Sequence, residues 1–213
     1  MSWSTAEIAD VLEAGLAERA AADDLEQAVY GFDALDELGL HPVLADCLER
    51  GGFGVYREQR YPSRWVERKR SSGERCDLVL TRDGLPLKEE AVVGTLFDGQ
   101  PGMTAGEAYW LEVKLVAQYE RSGPFRRYTS ELLRPVTKDL MKLWQEAGIR
   151  FAGLCLVLMT ASREVAEHDL ARWHERCLER GLPAAVPSVR GVKITDRIGN
   201  GWCGIAVVGV RGS

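Results

Sequence analysis

Hydrophobic residues recur with a helical period over the first 50 residues, where apolar positions return every three or four residues. This spacing predicts three helices. The first begins at Ser4 and runs to about residue 20, the second covers roughly 23–38, and the third begins at His41 and ends before Gly51. The predicted apolar side of the second helix consists of Leu25, Val29, Phe32 and Leu35.

Strand patterns predominate after residue 52, and two amphipathic helices separate the later strands. The predicted strands are 53–61, 75–81, 109–116, 151–159, 189–196 and 202–210. The predicted helices cover about 131–147 and 163–180, and the inward face of the first contains Leu133, Val136, Leu140, Leu143 and Trp144. Because strands alternate with helices, we expect the α/β class: a mixed central β-sheet flanked by helices, with a helical extension at the N-terminus.

The 213 residues suit a single compact domain, in which an acidic helical extension at 1–40 packs on an α/β domain at 41–213. Residues 1–50 hold twelve acids and two bases, whereas the remainder holds twenty acids and twenty-five bases. The acidic helices suit a protein partner or a homodimer contact better than a phosphate backbone. No apolar run approaches the roughly 20 residues of a membrane helix, and no signal peptide is recognisable. We therefore expect a cytoplasmic protein without a membrane partner.

Two predicted strands carry charged side chains within otherwise apolar runs. One has Asp77 in Arg-Cys-Asp-Leu-Val-Leu at 75–80, and the other has Glu112 and Lys114 in Trp-Leu-Glu-Val-Lys-Leu at 110–115. Glu112 and Lys114 share one face of their strand, since side chains alternate. An unpaired buried charge costs several kcal/mol, so these groups must be solvated, paired or used. They predict a divalent-metal site at a sheet edge, or else an ordinary Glu112–Lys114 ion pair beside an exposed Asp77.

These two segments resemble the PD-(D/E)XK nuclease superfamily, which has the restriction-endonuclease-like fold. The predicted order of elements over 41–159, namely helix, three strands, helix and strand, is similar to the αβββαβ core of that fold. Glu58 resembles the glutamate that many members carry on the first strand, and Glu37 is the best match to the acid often found on the first helix. The chain departs from the pattern in having Cys76 before Asp77, where many members have proline, and in a long segment before the third strand.

The resemblance implies a metal-dependent nuclease that hydrolyses phosphodiester bonds, with DNA as the expected substrate. Asp77 and Glu112 would bind Mg²⁺ or Mn²⁺ through carboxylate oxygens, with the carbonyl of Val113 as a further ligand. Lys114 would orient or help to deprotonate the attacking water and offset charge on the phosphate. Glu58 would be a further catalytic carboxylate, although a salt bridge with a neighbouring arginine explains it equally well.

A basic stripe on the helix at 131–147 is the candidate nucleic-acid contact. Arg134, Lys138 and Lys142 recur every four residues and could bind phosphates, although a solvated helix face gives the same pattern. The superfamily also contains inactive members, because a fold does not secure an activity. The alternative function is therefore a catalytically silent nuclease-fold protein that acts as a structural or protein-binding subunit.

Overall fold

A six-stranded mixed β-sheet forms the centre of the protein in a computed structural model, which describes residues 2–62, 75–88, 101–133 and 135–211. The strands of this sheet are β1 (Gly54–Arg60), β2 (Arg75–Thr81), β3 (Tyr109–Ala117), β6 (Phe151–Thr160), β7 (Ser188–Lys193) and β8 (Trp202–Arg211). Their order is β1-β2-β3-β6-β8-β7. Strands β3 and β6 pair in parallel, whereas the other neighbours are antiparallel. A small hairpin of β4 (Tyr119–Glu120) and β5 (Gly123–Pro124) follows β3.

Helices cover both faces of the sheet, which confirms the predicted α/β class. The α-helices of the described residues are α1 (Thr5–Leu25), α2 (Glu37–Arg50), α3 (Tyr128–Leu133), α4 (Pro135–Gln145) and α5 (Arg163–Glu179). Apolar side chains of α1 and α2 form one hydrophobic core with the sheet, and those of α4 and α5 form a second core on the opposite face. None of the helices in the described part of the chain has the length and apolar character to cross a membrane.

The predicted second helix, at 23–38, is wrong. Helix α1 extends to Leu25, and the chain then turns at Gln27, whose φ of 52° lies outside the helical region. A short 3-10 turn follows at Phe32–Ala34. The side chains of Leu25 and Val29, which were expected to face inward, are 86% and 79% exposed. Their helical spacing therefore does not correspond to a helix face.

Helix α2 begins four residues earlier than predicted, and this change brings two polar side chains to the sheet. Asp36 caps the helix, because its carboxylate accepts a hydrogen bond of 2.7 Å from the backbone N–H of Gly39. Pro42 consequently lies inside the helix instead of at its start. Glu37 and His41 are four residues apart in the same helix, so they lie on one face of α2.

Most of the described residues in the predicted helix at 131–147 are helical, in α3 up to Leu133 and in α4 from Pro135 to Gln145. Its apolar face is confirmed for Val136, Leu140 and Leu143, which are fully buried. The prediction is wrong for Trp144, which is 47% exposed. Helix α4 therefore packs on the sheet with the register that its three- and four-residue spacing indicates.

Replacing Leu140 with alanine should lower the free energy of unfolding by roughly 2–5 kcal/mol, since a fully buried leucine would leave a cavity beneath α4. Urea denaturation measures this change. Lys138→Ala on the exposed side of the same helix is the matched control and should alter stability by less than about 0.5 kcal/mol. A loss below about 1 kcal/mol for Leu140→Ala would mean that the packing of α4 is wrong.

Candidate metal centre

The candidate site lies where β2 and β3 separate. The two strands pair over three residue pairs that end at Leu78 and Leu111, whereas β3 continues beside β6 along its full length. The next residues along the two strands are Asp77 and Glu112, which confirms that the two predicted acidic strands are neighbours and that their carboxylates lie at one position of the sheet. The separation of the strands gives these side chains access to the space between them.

Backbone N–H groups of β3 donate to carboxylates where the pairing with β2 ends. The N–H of Val113 donates to Asp77 Oδ2 at 2.8 Å, and the N–H of Leu115 donates to Glu37 Oε2 at 3.1 Å. Buried backbone N–H groups must find acceptors, so these two bonds hold Asp77 and Glu37 against the third strand. The part of β3 that is not paired with β2 therefore holds the carboxylates of Asp77 and Glu37 in place.

Three side chains from α2, β1 and β2 form a group that could hold a metal ion. One ligand atom each from His41, Glu58 and Asp77 lies within 4.8 Å of the other two. Asp77 is half-buried, Glu58 is exposed, and His41 is only 4% exposed. Glu58 has a φ of 53°, a conformation uncommon outside glycine that turns its side chain out of the regular strand pattern. The donor set is thus one imidazole nitrogen and two carboxylates, open to solvent at Glu58.

The state of His41 fits a role as a ligand. Its Nε2 atom is buried and has no hydrogen-bond partner among the described residues, which is an unusual condition for a buried polar atom. Burial lowers the pKa of His41, although the charges of Glu37 and Glu58 oppose this effect. A lowered pKa keeps the imidazole neutral near pH 7, and the neutral ring is the form that binds metal ions.

Glu112 lies deeper than Asp77 and is paired with groups from two other elements. Its side chain is 6% exposed, and its Oε1 atom is 2.7 Å from Lys142 Nζ of α4. The same oxygen accepts a hydrogen bond from the hydroxyl of the buried Tyr61. Burial, together with the negative charge of Asp77, raises the pKa of Glu112 to about 7, although Lys142 and the hydroxyl of Tyr61 lower it in part.

Lys114 is held by carboxylates from both faces of the sheet. Its Nζ atom lies 2.8 Å from Glu37 Oε1 of α2 and 3.6 Å from Asp139 Oδ2 of α4. Burial alone would lower the pKa of Lys114, but the hydrogen bond and charge of Glu37, with the charges of Asp139 and Asp77, leave it raised. The simple Glu112–Lys114 ion pair is therefore incorrect, because the two side chains pair with different partners in the described structure.

The structure separates the residues of the predicted basic stripe. Lys138 is exposed on α4, whereas Lys142 is half-buried and points into the site, where it contacts Glu112. Lys142 therefore contacts a carboxylate in this structure, and a phosphate contact by the residues of the stripe stays a prediction. Arg134 lies outside the described residues, and the metal-binding role of the Val113 carbonyl stays a prediction.

Sequence patterns did not reveal the contribution of His41, Tyr61 and Asp139 to the site. For His41 a signal existed, because it follows Glu37 by four residues and the two must share a helix face. Tyr61 and Asp139 carry no comparable local signal. Their side chains reach the site only through the packing of distant segments against β3.

Burial of Glu112 makes stability depend on pH in a defined direction. Its carboxyl has an ordinary pKa of 4.5, which applies to the unfolded chain, and a pKa of about 7 in the folded protein. Between these values the folded state retains a proton that the unfolded state has lost, so the free energy of unfolding falls as the pH rises from about 4.5 to 7. At 1.36 kcal/mol per unit of pKa, the loss from this group is about 3 kcal/mol.

Urea denaturation at pH 5 and pH 8 without divalent cations measures this loss. Glu112→Gln has no carboxyl to ionise and should reduce the difference between the two pH values by about 3 kcal/mol. Asp77, whose pKa burial also raises, should leave a smaller loss with the same sign. An equal pH dependence in wild type and Glu112→Gln would contradict the burial of an ionisable Glu112.

No protein-family model matches the chain, and neither a curated protein nor a solved structure matches it. Functional inference therefore depends on the geometry of the centre and on the resemblance carried by the segments 75–80 and 110–115.

Proposed function

We propose that the protein is a metal-dependent nuclease with a restriction-endonuclease-like core, and that it hydrolyses phosphodiester bonds in DNA. The observation that carries the proposal is the convergence of His41, Glu58 and Asp77 beside Glu112 and Lys114, where two strands diverge. The order α2, β1, β2, β3, α4 and β6, with α3 before α4, supports the αβββαβ core.

The donor set favours Mn²⁺ over Mg²⁺ as the cofactor. Mg²⁺ prefers oxygen ligands and octahedral geometry, whereas an imidazole nitrogen suits transition metals. His41, Glu58 and Asp77 would hold the ion, with Glu112 as a further carboxylate on the neighbouring strand. A bound divalent cation would lower the pKa of a water molecule and stabilise negative charge on the phosphate.

The side chains around the metal ligands have separate roles. Lys114 is fixed between Glu37 and Asp139, so its ammonium group is positioned to orient the attacking water or to offset charge on the phosphate. Val113 holds Asp77 in place through its N–H group, which limits the positions of that carboxylate. Lys138, exposed on α4, is the described side chain best placed for a phosphate of the DNA backbone.

Incubation with labelled single- and double-stranded DNA and RNA in Mn²⁺, Mg²⁺ or EDTA tests the proposal. We expect cleavage of DNA in Mn²⁺, weaker cleavage in Mg²⁺ and none in EDTA. Asp77→Asn, purified in the same way, should be inactive, and this variant detects a contaminating nuclease. No cleavage by wild type with any substrate, or equal cleavage by Asp77→Asn, would contradict the proposed activity.

An acidic cavity gives the alternative function a specific basis. The cavity has a volume of about 510 Å³ and adjoins the site at Glu37 and Leu115. Its lining residues include five carboxylates and one arginine: Asp33, Asp36, Glu37, Glu120, Glu131 and Arg121. Negative charge of this density disfavours a phosphate and suits a basic protein segment. A silent nuclease-fold subunit that binds a basic partner here is therefore the second candidate, and the cleavage assay separates it from the first.

A further inference from the structure

Lys142 occupies a position that the mechanism above does not use. It reaches the site from α4, on the opposite face of the sheet from α2, and its Nζ atom is 2.7 Å from Glu112 Oε1. Asp77 and Glu112 are two carboxylates in one partly buried site. Burial raises the pKa of both carboxyl groups, and the negative charge of Asp77 also raises that of Glu112. A cation is needed there to offset the charge of Glu112, and Lys142 supplies it.

We propose that Lys142 is a displaceable counter-cation, which neutralises Glu112 in the metal-free protein and gives way when a divalent cation binds. This inference rests on the proposed function, because it requires a metal ion at the same centre. It assigns Lys142 a role in controlling metal affinity, distinct from the phosphate contact that its place in a basic stripe indicates. Lys142 is thus a positioning residue for Glu112.

The remaining contacts of Lys142 allow it to leave. Apart from Glu112, its ammonium group donates to the carbonyl of Arg75 at a long 3.3 Å and lies 4.9 Å from the centre of the Tyr61 ring. The side chain is 21% exposed, so the end of its flexible four-carbon stem lies near solvent. A divalent cation carries twice its charge and attracts Glu112 more strongly at a comparable distance.

Lys114 differs from Lys142 in the partners that hold it. It contacts carboxylates from two helices, Glu37 and Asp139, in addition to its place on a central strand. Displacing Lys114 would leave two carboxylates without their cation, whereas displacing Lys142 exchanges one cation for another at Glu112. The two lysines therefore serve different purposes, with Lys114 retained in the metal-bound protein.

Thermal unfolding over a range of Mn²⁺ concentrations at pH 8.0, without nucleic acid, tests the proposal. Lys142→Met keeps most of the length of the side chain and removes its charge. We expect this variant to melt at a lower temperature than wild type without metal, and to reach half of its Mn²⁺-induced shift at about a tenfold lower concentration. A tenfold change in the apparent affinity for Mn²⁺ corresponds to about 1.4 kcal/mol of binding free energy. Lys193→Met, on the exposed side of the edge strand β7, should respond to Mn²⁺ as wild type does.

The effect must depend on the carboxylate for which the two cations compete. In a Glu112→Gln background, Lys142→Met should therefore leave the Mn²⁺ response unchanged. If Lys142→Met does not fold, Lys142→Gln provides the same comparison with a polar side chain.

Three results would overturn the proposal. An equal Mn²⁺ response in wild type and Lys142→Met would remove the competition, and a weaker response would make Lys142 a contributor to metal binding. Failure of every protein to respond to Mn²⁺ would reject the metal centre, and with it the proposed function. Either of the first two results would reject only the role of Lys142.

Discussion

Asp77→Asn should lower kcat for DNA cleavage by about 10³-fold or more and should abolish the rise in melting temperature that Mn²⁺ causes. Asp77 is one of the three side chains that could hold a metal ion, and its carboxylate accepts a hydrogen bond of 2.8 Å from the N–H of Val113. Replacing the carboxylate with a neutral carboxamide removes a negative charge that would hold the metal ion. A loss of several kcal/mol of transition-state stabilisation corresponds to about three powers of ten in rate.

Single-turnover cleavage and thermal unfolding, measured on the same preparations, test this prediction. Asp83→Asn is the matched control, because Asp83 is an exposed aspartate in the turn that follows β2. It should keep both the rate and the metal response of wild type. A variant at Asp77 that lost cleavage but kept the full Mn²⁺ response would show that Asp77 is not a ligand.

Lys114→Ala should lower kcat by about 10²–10³-fold while the Mn²⁺-induced rise in melting temperature remains. Lysine is not a metal ligand, so its removal should spare metal binding. Its ammonium group is held 2.8 Å from Glu37 and is available to a phosphate or to the attacking water. The expected separation of the two effects distinguishes Lys114 from Asp77, which should lose both.

Cleavage rates at saturating Mn²⁺ and melting curves provide the two readouts for Lys114→Ala. Lys193→Ala on β7 is a suitable control, because Lys193 is exposed on a strand at the far edge of the sheet. It should leave both quantities unchanged. Cleavage by Lys114→Ala within about threefold of wild type would mean that this lysine takes no part in the chemistry.

The strands were predictable because their side-chain pattern is local. The ends of each predicted strand of the central sheet differ from those of the observed strand by at most three residues. The pairing of 75–81 with 109–116 is confirmed. Because Asp77 and Glu112 are isolated acids within apolar runs, their positions on two strands could be predicted from the sequence. The pattern failed where the chain turns without a glycine, at Gln27, because Leu25 and Val29 continue a helical spacing beyond the end of α1.

The pairing of charges in the site was not predictable from the sequence, because it depends on contacts between distant segments. Lys142 is 30 residues from Glu112, and Lys114 is 77 residues from Glu37. Sequence spacing placed Glu112 and Lys114 on one face, which suggested that they pair with each other. In the structure, Lys114 pairs with Glu37 of α2 and Glu112 pairs with Lys142 of α4, because the two helices pack on opposite faces of the sheet.

The same features that suit the site to a metal ion reduce the stability of the metal-free protein. Burial raises the pKa of both Asp77 and Glu112, and His41 keeps a buried nitrogen without a hydrogen-bond partner among the described residues. Each condition costs free energy in the folded state. A ligand that binds only the folded state regains this free energy, so metal binding and folding should be coupled.

Electron paramagnetic resonance of Mn²⁺ added to the pure protein tests the metal centre most directly, because free and bound Mn²⁺ differ in signal and a coordinated histidine adds modulation from its nitrogen. We predict Mn²⁺ binding with nitrogen modulation in wild type, loss of the modulation in His41→Gln, and loss of binding in Asp77→Asn. Mn²⁺ that stays free at millimolar concentrations, or that binds wild type without nitrogen modulation, would contradict a centre formed by His41, Glu58 and Asp77.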